Sequence, residues 1–194
     1  TNLKKNTLPL AALGIPEKVV NSNIKWRSPS SDFCKKIAEF SKKFSTKNPY
    51  KFLKILCEGD GSKRLPIKLP KDGEPVFFPK TDTVIGVIGL SCLGKPIKET
   101  LFRYELLPNL TSLDNYFIKS LQSADIVTTD FLYRLCLSEK GLRKNITSQK
   151  FCIIFNQADI LDEKALAEVI TLRNQLQTKG ICSHIISVKN NYII

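Results

Sequence analysis

Apolar positions along the chain follow two periods, one typical of helices and one typical of buried strands. Short apolar runs predict four strands, at residues 52–57, 84–88, 151–155 and 182–188. Apolar residues three to four positions apart predict helices at residues 32–43, 113–122, 130–137 and 162–179. The strand–helix–strand order over residues 151–188 is a βαβ unit, which requires parallel strands and a right-handed crossover.

The remaining segments lack such periodicity. Residues 1–31 are polar and mixed, so we expect an irregular lead-in, with a short helix near residues 16–20. Residues 65–80 carry four prolines, which exclude a regular helix and a central strand and predict a rigid, extended excursion. Together, the patterns predict a single α/β domain over residues 1–194, with a mostly parallel sheet flanked by helices.

The charge balance narrows the class of partner. The chain has 30 Lys and Arg against 18 Asp and Glu, a formal net charge of +12, which favours anionic partners such as nucleotides. The basic residues are spread out and do not alternate with aromatic residues, so nucleic-acid binding is not favoured. No apolar run is long enough to span a bilayer, and the first residues lack a secretory leader pattern. We therefore expect a cytoplasmic protein that does not associate with membranes.

The cysteines and the single histidine give little sign of a functional site. The six cysteines never form the C-x-x-C spacing of zinc sites, and their density does not indicate a disulfide framework. Cys57, Cys152 and Cys182 lie in apolar runs and are expected to be small buried residues. Cys92 follows a glycine in a loop, so it is the candidate for an exposed, functional thiol. His184 lies in an apolar strand, which favours a packed structural role over a catalytic base.

Acidic and basic residues follow the first predicted strand closely. Glu58 and Asp60 alternate with glycines, and Lys63, Arg64 and Lys68 come next. A carboxylate just past a buried strand can hold Mg²⁺, so Asp60 is the candidate metal ligand, and Asp60 with Glu58 are the candidate catalytic groups. The three cations are candidates for nucleotide or anion binding. Two alternatives stay open: a plain turn, or carboxylates and cations that pair with one another.

A second glycine-rich loop follows the strand at residues 84–88. Gly89, Gly94 and Lys95 have the spacing of a phosphate-binding loop, but Pro96 replaces the Ser or Thr that would bind Mg²⁺. Proline also removes a backbone amide. We therefore expect a loop that lines a site in another way, with Lys95 as a contributor to phosphate binding.

A third polar loop follows the strand at residues 151–155. Asn156 and Asp159 have the N-K-x-D spacing with which GTPases recognise guanine, although Gln157 replaces the lysine. Both are candidate nucleotide-binding residues. The alternative is a structural role in which Asp159 or Asp162 caps the following helix.

Several blocks of this sequence occur in the order of one known family. They are the run EGDGSKRLPIKLPKDGEPVFFPKTDTVIGVIGLSCLGKPI, the block FRYE at 102–105, the block EKGLRK at 139–144 and the block NQAD at 156–159. This order resembles the YqeC family, accessory proteins of selenium-dependent molybdenum hydroxylases. The resemblance implies a P-loop-NTPase-like, three-layer domain that binds ATP or GTP with Mg²⁺. It also implies a role in maturation, with a molybdenum hydroxylase or its pterin cofactor as partner, and leaves nucleoside triphosphate hydrolysis open.

The chain departs from the family pattern near its start. The family's glycine-rich G-K-[ST] phosphate loop is expected there, but residues 1–50 contain none. Either the given sequence is incomplete at the N-terminus, which we expect, or this member lacks the loop. The first alternative predicts a nucleotide-binding maturation factor with metal-assisted binding at the strand-end loops. The second predicts a non-catalytic chaperone or scaffold that binds an anionic cofactor or acidic partner through residues 65–80.

Overall fold

The computed structural model describes residues 15–20, 23–27, 30, 32–33, 35–37, 39–40, 43, 56–78, 81–110 and 125–194. The chain divides into two compact units, Thr1–Leu56 and Cys57–Ile194. The single domain over residues 1–194 stays a prediction. Among the described residues, no helix is both long and apolar enough to cross a membrane.

The first unit contains a hairpin where the sequence predicted an irregular lead-in. Strands β1 (Ile15–Val20) and β2 (Asn23–Arg27) pair in antiparallel orientation. The register shifts between Pro16 and Lys18, and such irregularities are where a strand tolerates the missing amide of proline. The expected helix near residues 16–20 is therefore wrong.

Two other predictions fall in or next to this unit. The described residues between 32 and 43 are helical, as the apolar spacing predicted. The predicted strand at 52–57 lies mostly outside the described residues, and its last two residues, Leu56 and Cys57, are exposed and outside any strand.

The second unit contains the remaining strands and helices. Its strands are β3 (Ile67–Lys68), β4 (Thr83–Gly89), β5 (Leu101–Phe102), β6 (Lys150–Asn156), β7 (Cys182–Ser187) and β8 (Tyr192–Ile193). Its α-helices are α1 (Ile97–Thr100), α2 (Thr129–Leu137) and α3 (Glu163–Thr178). Short 3-10 helices span Leu90–Cys92, Tyr104–Asn109 and Ala158–Ile160. The helix predicted at residues 113–122 lies outside the described residues.

The main sheet has four strands in the order β4–β6–β7–β8. Strands β4, β6 and β7 are parallel, and β8 runs antiparallel to β7. A second, two-residue parallel pair joins β3 to β5. The α/β class, the mostly parallel sheet and the βαβ unit β6–α3–β7 are thus confirmed.

Each of the two longer helices begins at a side chain that caps its first turn. The Thr128 hydroxyl accepts a hydrogen bond from the Phe131 amide (3.1 Å) at the start of α2. The Asp162 carboxylate accepts one from the Ala165 amide (2.7 Å) at the start of α3. These bonds satisfy amides that a helix cannot pair internally, which is why the chain turns helical at these points.

One face of the sheet forms the core of this unit. Alternate strand residues, such as Ile88, Phe155 and Ile185, are fully buried in one cluster with apolar residues of α2 and α3. On the opposite face of β4, Ile85 and Val87 are 47% and 56% exposed. The expectation that β4 is a fully buried strand is wrong, because within the described part of the chain it lies at the sheet edge. The described helices cover one face, and a third layer stays a prediction.

Gly141 lies four residues beyond the end of α2, where a side chain would collide with the backbone. A Cβ atom there would lie 2.7 Å from the Leu135 carbonyl oxygen and 3.2 Å from the Ser138 Cβ. We expect Gly141→Ala to lower the free energy of unfolding by about 2–3 kcal/mol, because a carbonyl in a packed turn cannot move aside freely. Urea unfolding measures this, with Gly180→Ala as control: Gly180 has φ +75° in open space, and we expect a loss of about 1 kcal/mol. A smaller loss for Gly141→Ala than for Gly180→Ala would contradict the prediction.

Candidate functional site

The proline-rich excursion attaches to the sheet where β4 ends. Strand β3, its only regular strand in the described part of the chain, pairs with β5, and the Gly89 amide donates to the Pro66 carbonyl (2.9 Å). This attachment places the start of the excursion beside the carboxyl end of β4. Open parallel sheets carry ligand sites at this edge.

Four charged side chains form an ion-pair cluster between the excursion and the end of β5. The Lys68 ammonium pairs with the Asp60 carboxylate, lies 3.0 Å from Glu74 Oε2 and donates to the Gly61 carbonyl (2.9 Å). The Arg103 guanidinium contacts both oxygens of Glu74, one of them at 2.9 Å from Nη2. All four side chains, Asp60, Lys68, Glu74 and Arg103, are at most 20% exposed. Two carboxylates thus balance two cations.

Burial and pairing shift the pKa values in the ion-pair cluster. Hydrogen bonds from Arg103, helped by Lys68, lower the pKa of Glu74 from 4.5 to about 2. Burial lowers the pKa of Lys68, although Glu74 opposes this shift. The hydrogen bond to Glu74 raises the pKa of Arg103. The shifts of Glu74 and Arg103 agree, since each partner favours the charged form of the other.

Three cations surround the ring of Phe102. Lys63 Nζ, Lys68 Nζ and Arg103 Cζ lie 5.0, 5.5 and 4.9 Å from its centroid, within the range of cation–π attraction. Lys63 and Arg64 are exposed and have φ angles of 51° and 66°. Non-glycine residues adopt this left-handed conformation at a cost of about 1–2 kcal/mol each. The turn therefore presents two exposed basic side chains in a costly conformation.

For the loop that contains Glu58 and Asp60, these contacts favour the alternative in which carboxylates and cations pair with one another. Lys68 and Asp60 pair with one another, so both are parts of an internal ion pair. Glu58 is exposed, and its Oε1 would lie 3.2 Å from a Cβ added at Gly61. Of the three basic residues predicted there, Lys63 and Arg64 are the exposed ones.

Lys144 and Asn145 donate hydrogen bonds to the turn of the proline-rich excursion. Lys144 Nζ donates to the Lys71 carbonyl (2.8 Å), and Asn145 Nδ2 donates to the carbonyls of Glu74 and Pro75 (both 3.3 Å). The block at 139–144 that carried part of the family resemblance therefore ends against the excursion. Lys144, the last basic residue of this block, therefore makes a structural contact.

The second half of the loop from Gly89 to Pro96 uses its backbone amides internally. The amides of Leu93, Gly94 and Lys95 donate to the carbonyls of Leu90, Val127 and Cys92, at 3.0–3.1 Å. Pro96 has no amide. A phosphate loop needs several amides directed at the ligand, and these three are not available for that role. The side chain of Lys95 is exposed and can still contribute.

Hydrogen bonds within the protein hold the polar side chains of the loop after β6. The Asn156 Oδ1 accepts a hydrogen bond from the Gln157 amide (2.8 Å), and Gln157 has a φ of 71°. The Asp159 Oδ1 accepts one from the Ser187 hydroxyl (2.7 Å) at the end of β7. Asp162, and not Asp159, caps α3.

The loop after β6 meets the excursion at Gly89. A Cβ added there would lie 2.8 Å from Gln157 Oε1 and 3.0 Å from Pro66 Cβ. Glycine therefore favours the close approach of the two loops at this strand end, mainly through its contact with Pro66. Asn156 is paired with Gly89 across the sheet, so the strand-end loops of β4 and β6 are neighbours.

The cysteines and the histidine correct several predictions. Cys57 is exposed and lies outside any strand. Cys182 is exposed and Cys152 is half-buried, because alternate residues of β6 and β7 face away from the helices. Cys92 is fully buried, and burial raises the pKa of its thiol to about 12, so it is not a functional thiol. His184 is exposed and not packed in the core.

Three residues of the strand-end region were missed by reasoning from residue types. Glu74 and Arg103 carry the ion-pair cluster, and Ser187 holds Asp159. Glu74 and Arg103 stand inside the blocks that carried the family resemblance, which was the one signal for them. Nothing in the sequence distinguishes Ser187 from other serines.

The fold and the site place the chain among α/β proteins that carry polar loops at the carboxyl ends of their parallel strands. Residues 12–105 match the family model described as YqeC protein. This match confirms the predicted resemblance to the YqeC family and is consistent with an accessory role. The matched range contains the first two loops, whereas the Asn156–Asp159 loop lies beyond it. No curated protein and no solved structure matches the chain.

Proposed function

We propose that the protein binds a nucleotide at the strand-end loops and acts as an accessory factor in maturation of a selenium-dependent molybdenum hydroxylase. The match of residues 12–105 to the YqeC family model supports the accessory role. The observation that carries nucleotide binding is the Asn156–Asp159 loop, because its side chains are oriented before any ligand binds. The P-loop-NTPase-like fold and the cytoplasmic location belong to the same proposal.

Guanine fits this loop better than adenine does. Guanine presents two adjacent N–H groups, and an aspartate carboxylate can accept both while one of its oxygens also holds a hydroxyl. Ser187 supplies that hydroxyl and fixes the orientation of Asp159. Asn156 fixes the backbone at Gln157. We therefore propose GTP over ATP as the nucleotide.

The phosphates would be held by exposed cations. Lys63 and Arg64 project from the turn beside Phe102, and Lys95 projects from the loop after β4. Lys68 is already neutralised by Asp60 and Glu74, so it contributes to the position of the turn more than to the ligand. Exposed basic side chains bind phosphate at a modest gain each.

Magnesium does not fit as a resident ion at Asp60. Its carboxylate is paired with Lys68, and a hard cation needs carboxylate oxygens whose charge is not already compensated. Glu58 supplies only one exposed carboxylate. We therefore treat Mg²⁺ as the ion that accompanies a triphosphate, and we assign no hydrolytic step to Asp60 or Glu58.

Calorimetric titration of the full chain with GTP and ATP in the presence of Mg²⁺ tests the proposal. We expect saturable binding below about 1 mM, tighter for GTP, and about 5- to 10-fold weaker in the double variant Lys63→Ala with Arg64→Ala. Lys98→Ala, which removes an exposed cation of α1, is the matched control and should bind as the wild type does. Absence of binding at millimolar nucleotide would overturn the proposal.

The internal hydrogen bonds that backbone amides of the Gly89–Pro96 loop donate favour a second candidate function. Because these amides are used internally, the protein could act as a scaffold that holds an anionic pterin cofactor or an acidic partner protein. In that case no nucleotide binds, and charge reversal at Lys63 and Arg64 abolishes binding of the anionic partner. The same calorimetric titration therefore separates the two functions.

A further inference from the structure

We propose that Cys152, Cys182 and His184 form a binding site for a thiophilic metal ion, with Zn²⁺ as the best match. Their ligand atoms all lie within 4.8 Å of one another. Sulfur and imidazole ligands select zinc or related soft ions over Mg²⁺ and Ca²⁺. In the part of the chain that the structure describes, this is the one such group of three.

The strand register brings these residues together. Cys152 of β6 lies directly opposite Cys182 of β7 in the parallel ladder. His184 follows two residues later on β7, so it points to the same face of the sheet as Cys182. Two neighbouring strands therefore hold the three ligand side chains on one face of the sheet.

The distances suit tetrahedral coordination. Zinc–sulfur bonds of about 2.3 Å and zinc–nitrogen bonds of about 2.0–2.1 Å place neighbouring ligand atoms roughly 3.6–3.8 Å apart. The Cys182 Sγ and His184 Nε2 atoms are already 3.5 Å apart. Small side-chain rotations would bring Cys152 to the same range.

Charge and exposure favour a bound cation. The two negative charges of two thiolates, with one neutral imidazole, would balance a divalent ion, so the complex adds no net charge to this sheet face. Cys182 and His184 are exposed and Cys152 is half-buried, which leaves the site open to solvent. Three protein ligands leave a fourth position for water or a metal-bound partner, as open zinc sites do.

The metal site is separate from the proposed nucleotide site. Cys152 is the third residue of β6 and Cys182 the first of β7, so the cluster lies toward the amino ends of these strands. The Asn156–Asp159 loop follows the carboxyl end of β6. Failure of either site would therefore leave the other proposal standing.

Cobalt titration of the reduced full-length chain tests the site, since Co²⁺ reports thiolate ligation by its charge-transfer absorption. We expect one Co²⁺ per chain, displaced by Zn²⁺, and at least about 100-fold weaker binding in Cys182→Ser and in His184→Gln. Both positions are exposed, so these variants should fold, which circular dichroism checks. Cys57→Ser, an exposed cysteine elsewhere in the same unit, is the matched control and should bind cobalt as the wild type does.

Three results would overturn the proposal. One is the absence of a thiolate–cobalt band at excess metal. Another is unchanged affinity in Cys182→Ser or His184→Gln. The third is a disulfide between Cys152 and Cys182 that mass spectrometry finds intact after reduction, because a disulfide has no thiolate to offer the metal.

Discussion

Replacement of Glu74 by glutamine is expected to lower the free energy of unfolding by about 2–3 kcal/mol at pH 7. Glutamine keeps the shape of the side chain but removes the charge that faces Lys68 and Arg103. Loss of one partner in a buried pair costs roughly 3–5 kcal/mol, and we discount this because the Glu74 side chain is 20% exposed. Urea unfolding of both proteins measures the difference. Asp72→Asn is the matched control, since Asp72 is a fully exposed carboxylate of the same turn, 3.4 Å from Lys144, and should cost under about 0.5 kcal/mol.

The same replacement should have a characteristic pH dependence. The pKa of Glu74 falls from 4.5 to about 2 on folding, so ionisation of Glu74 stabilises the folded protein fully above pH 4.5. This contribution is lost as the pH falls toward 2. The difference between the wild type and Glu74→Gln should therefore be largest above pH 5 and should narrow steadily below it. A constant difference between pH 7 and pH 3 would contradict the ion-pair cluster as the cause.

Replacement of Asp159 by asparagine is expected to change which base the protein binds. Asparagine presents one acceptor and one donor in place of two acceptors, so it cannot accept both N–H groups of guanine. A site built on hydrogen bonds rejects a mismatched partner strongly, and we expect GTP affinity to fall about 100-fold or more. Xanthine carries a carbonyl where guanine carries its amino group. Xanthosine triphosphate should therefore bind Asp159→Asn at least about 10-fold more tightly than GTP does.

Asp162→Asn is the matched control for the base-preference experiment. Asp162 lies three residues further on and caps α3 through the Ala165 amide, and asparagine caps helices about as well as aspartate. Its nucleotide affinity should match that of the wild type. If Asp159→Asn binds GTP as tightly as Asp162→Asn does, Asp159 does not read the base and has a structural role at Ser187.

The strong sequence signals of the second unit were enough to predict most of its sheet. The apolar run of β6, the long stripe of α3 and the glycine after it fixed the βαβ unit, because burial and capping act locally there. The hairpin β1–β2 was not predicted, since Pro16 resembled a helix start and its place at a register shift depends on pairing. The exposed face of β4 was also missed, because an apolar run does not show where a strand lies in the sheet.

The candidate site was predicted in its residue types more than in its contacts. Asp60 and Lys68 were recognised as reactive, but their pairing depends on the fold of the excursion. Glu74, whose carboxylate pairs with Lys68 and Arg103, lies six residues beyond Lys68 in a proline-rich turn, and the sequence alone does not show this pairing. The proposed metal-binding group was not predicted because 29 residues separate Cys152 from Cys182 in sequence, and the parallel register makes them neighbours.

Strand β4 acquires its only described neighbour in the main sheet late in synthesis. It begins at Thr83, whereas its partner β6 begins at Lys150. At translation rates of about 5–20 residues per second, β4 waits roughly 3–13 s for β6 to be made. During that interval the backbone groups of the apolar strand TVIGVIG that later face β6 lack this strand partner and bond to water. Until β6 is made, the nascent chain therefore exposes an apolar strand edge without this partner, and edges of this kind favour aggregation.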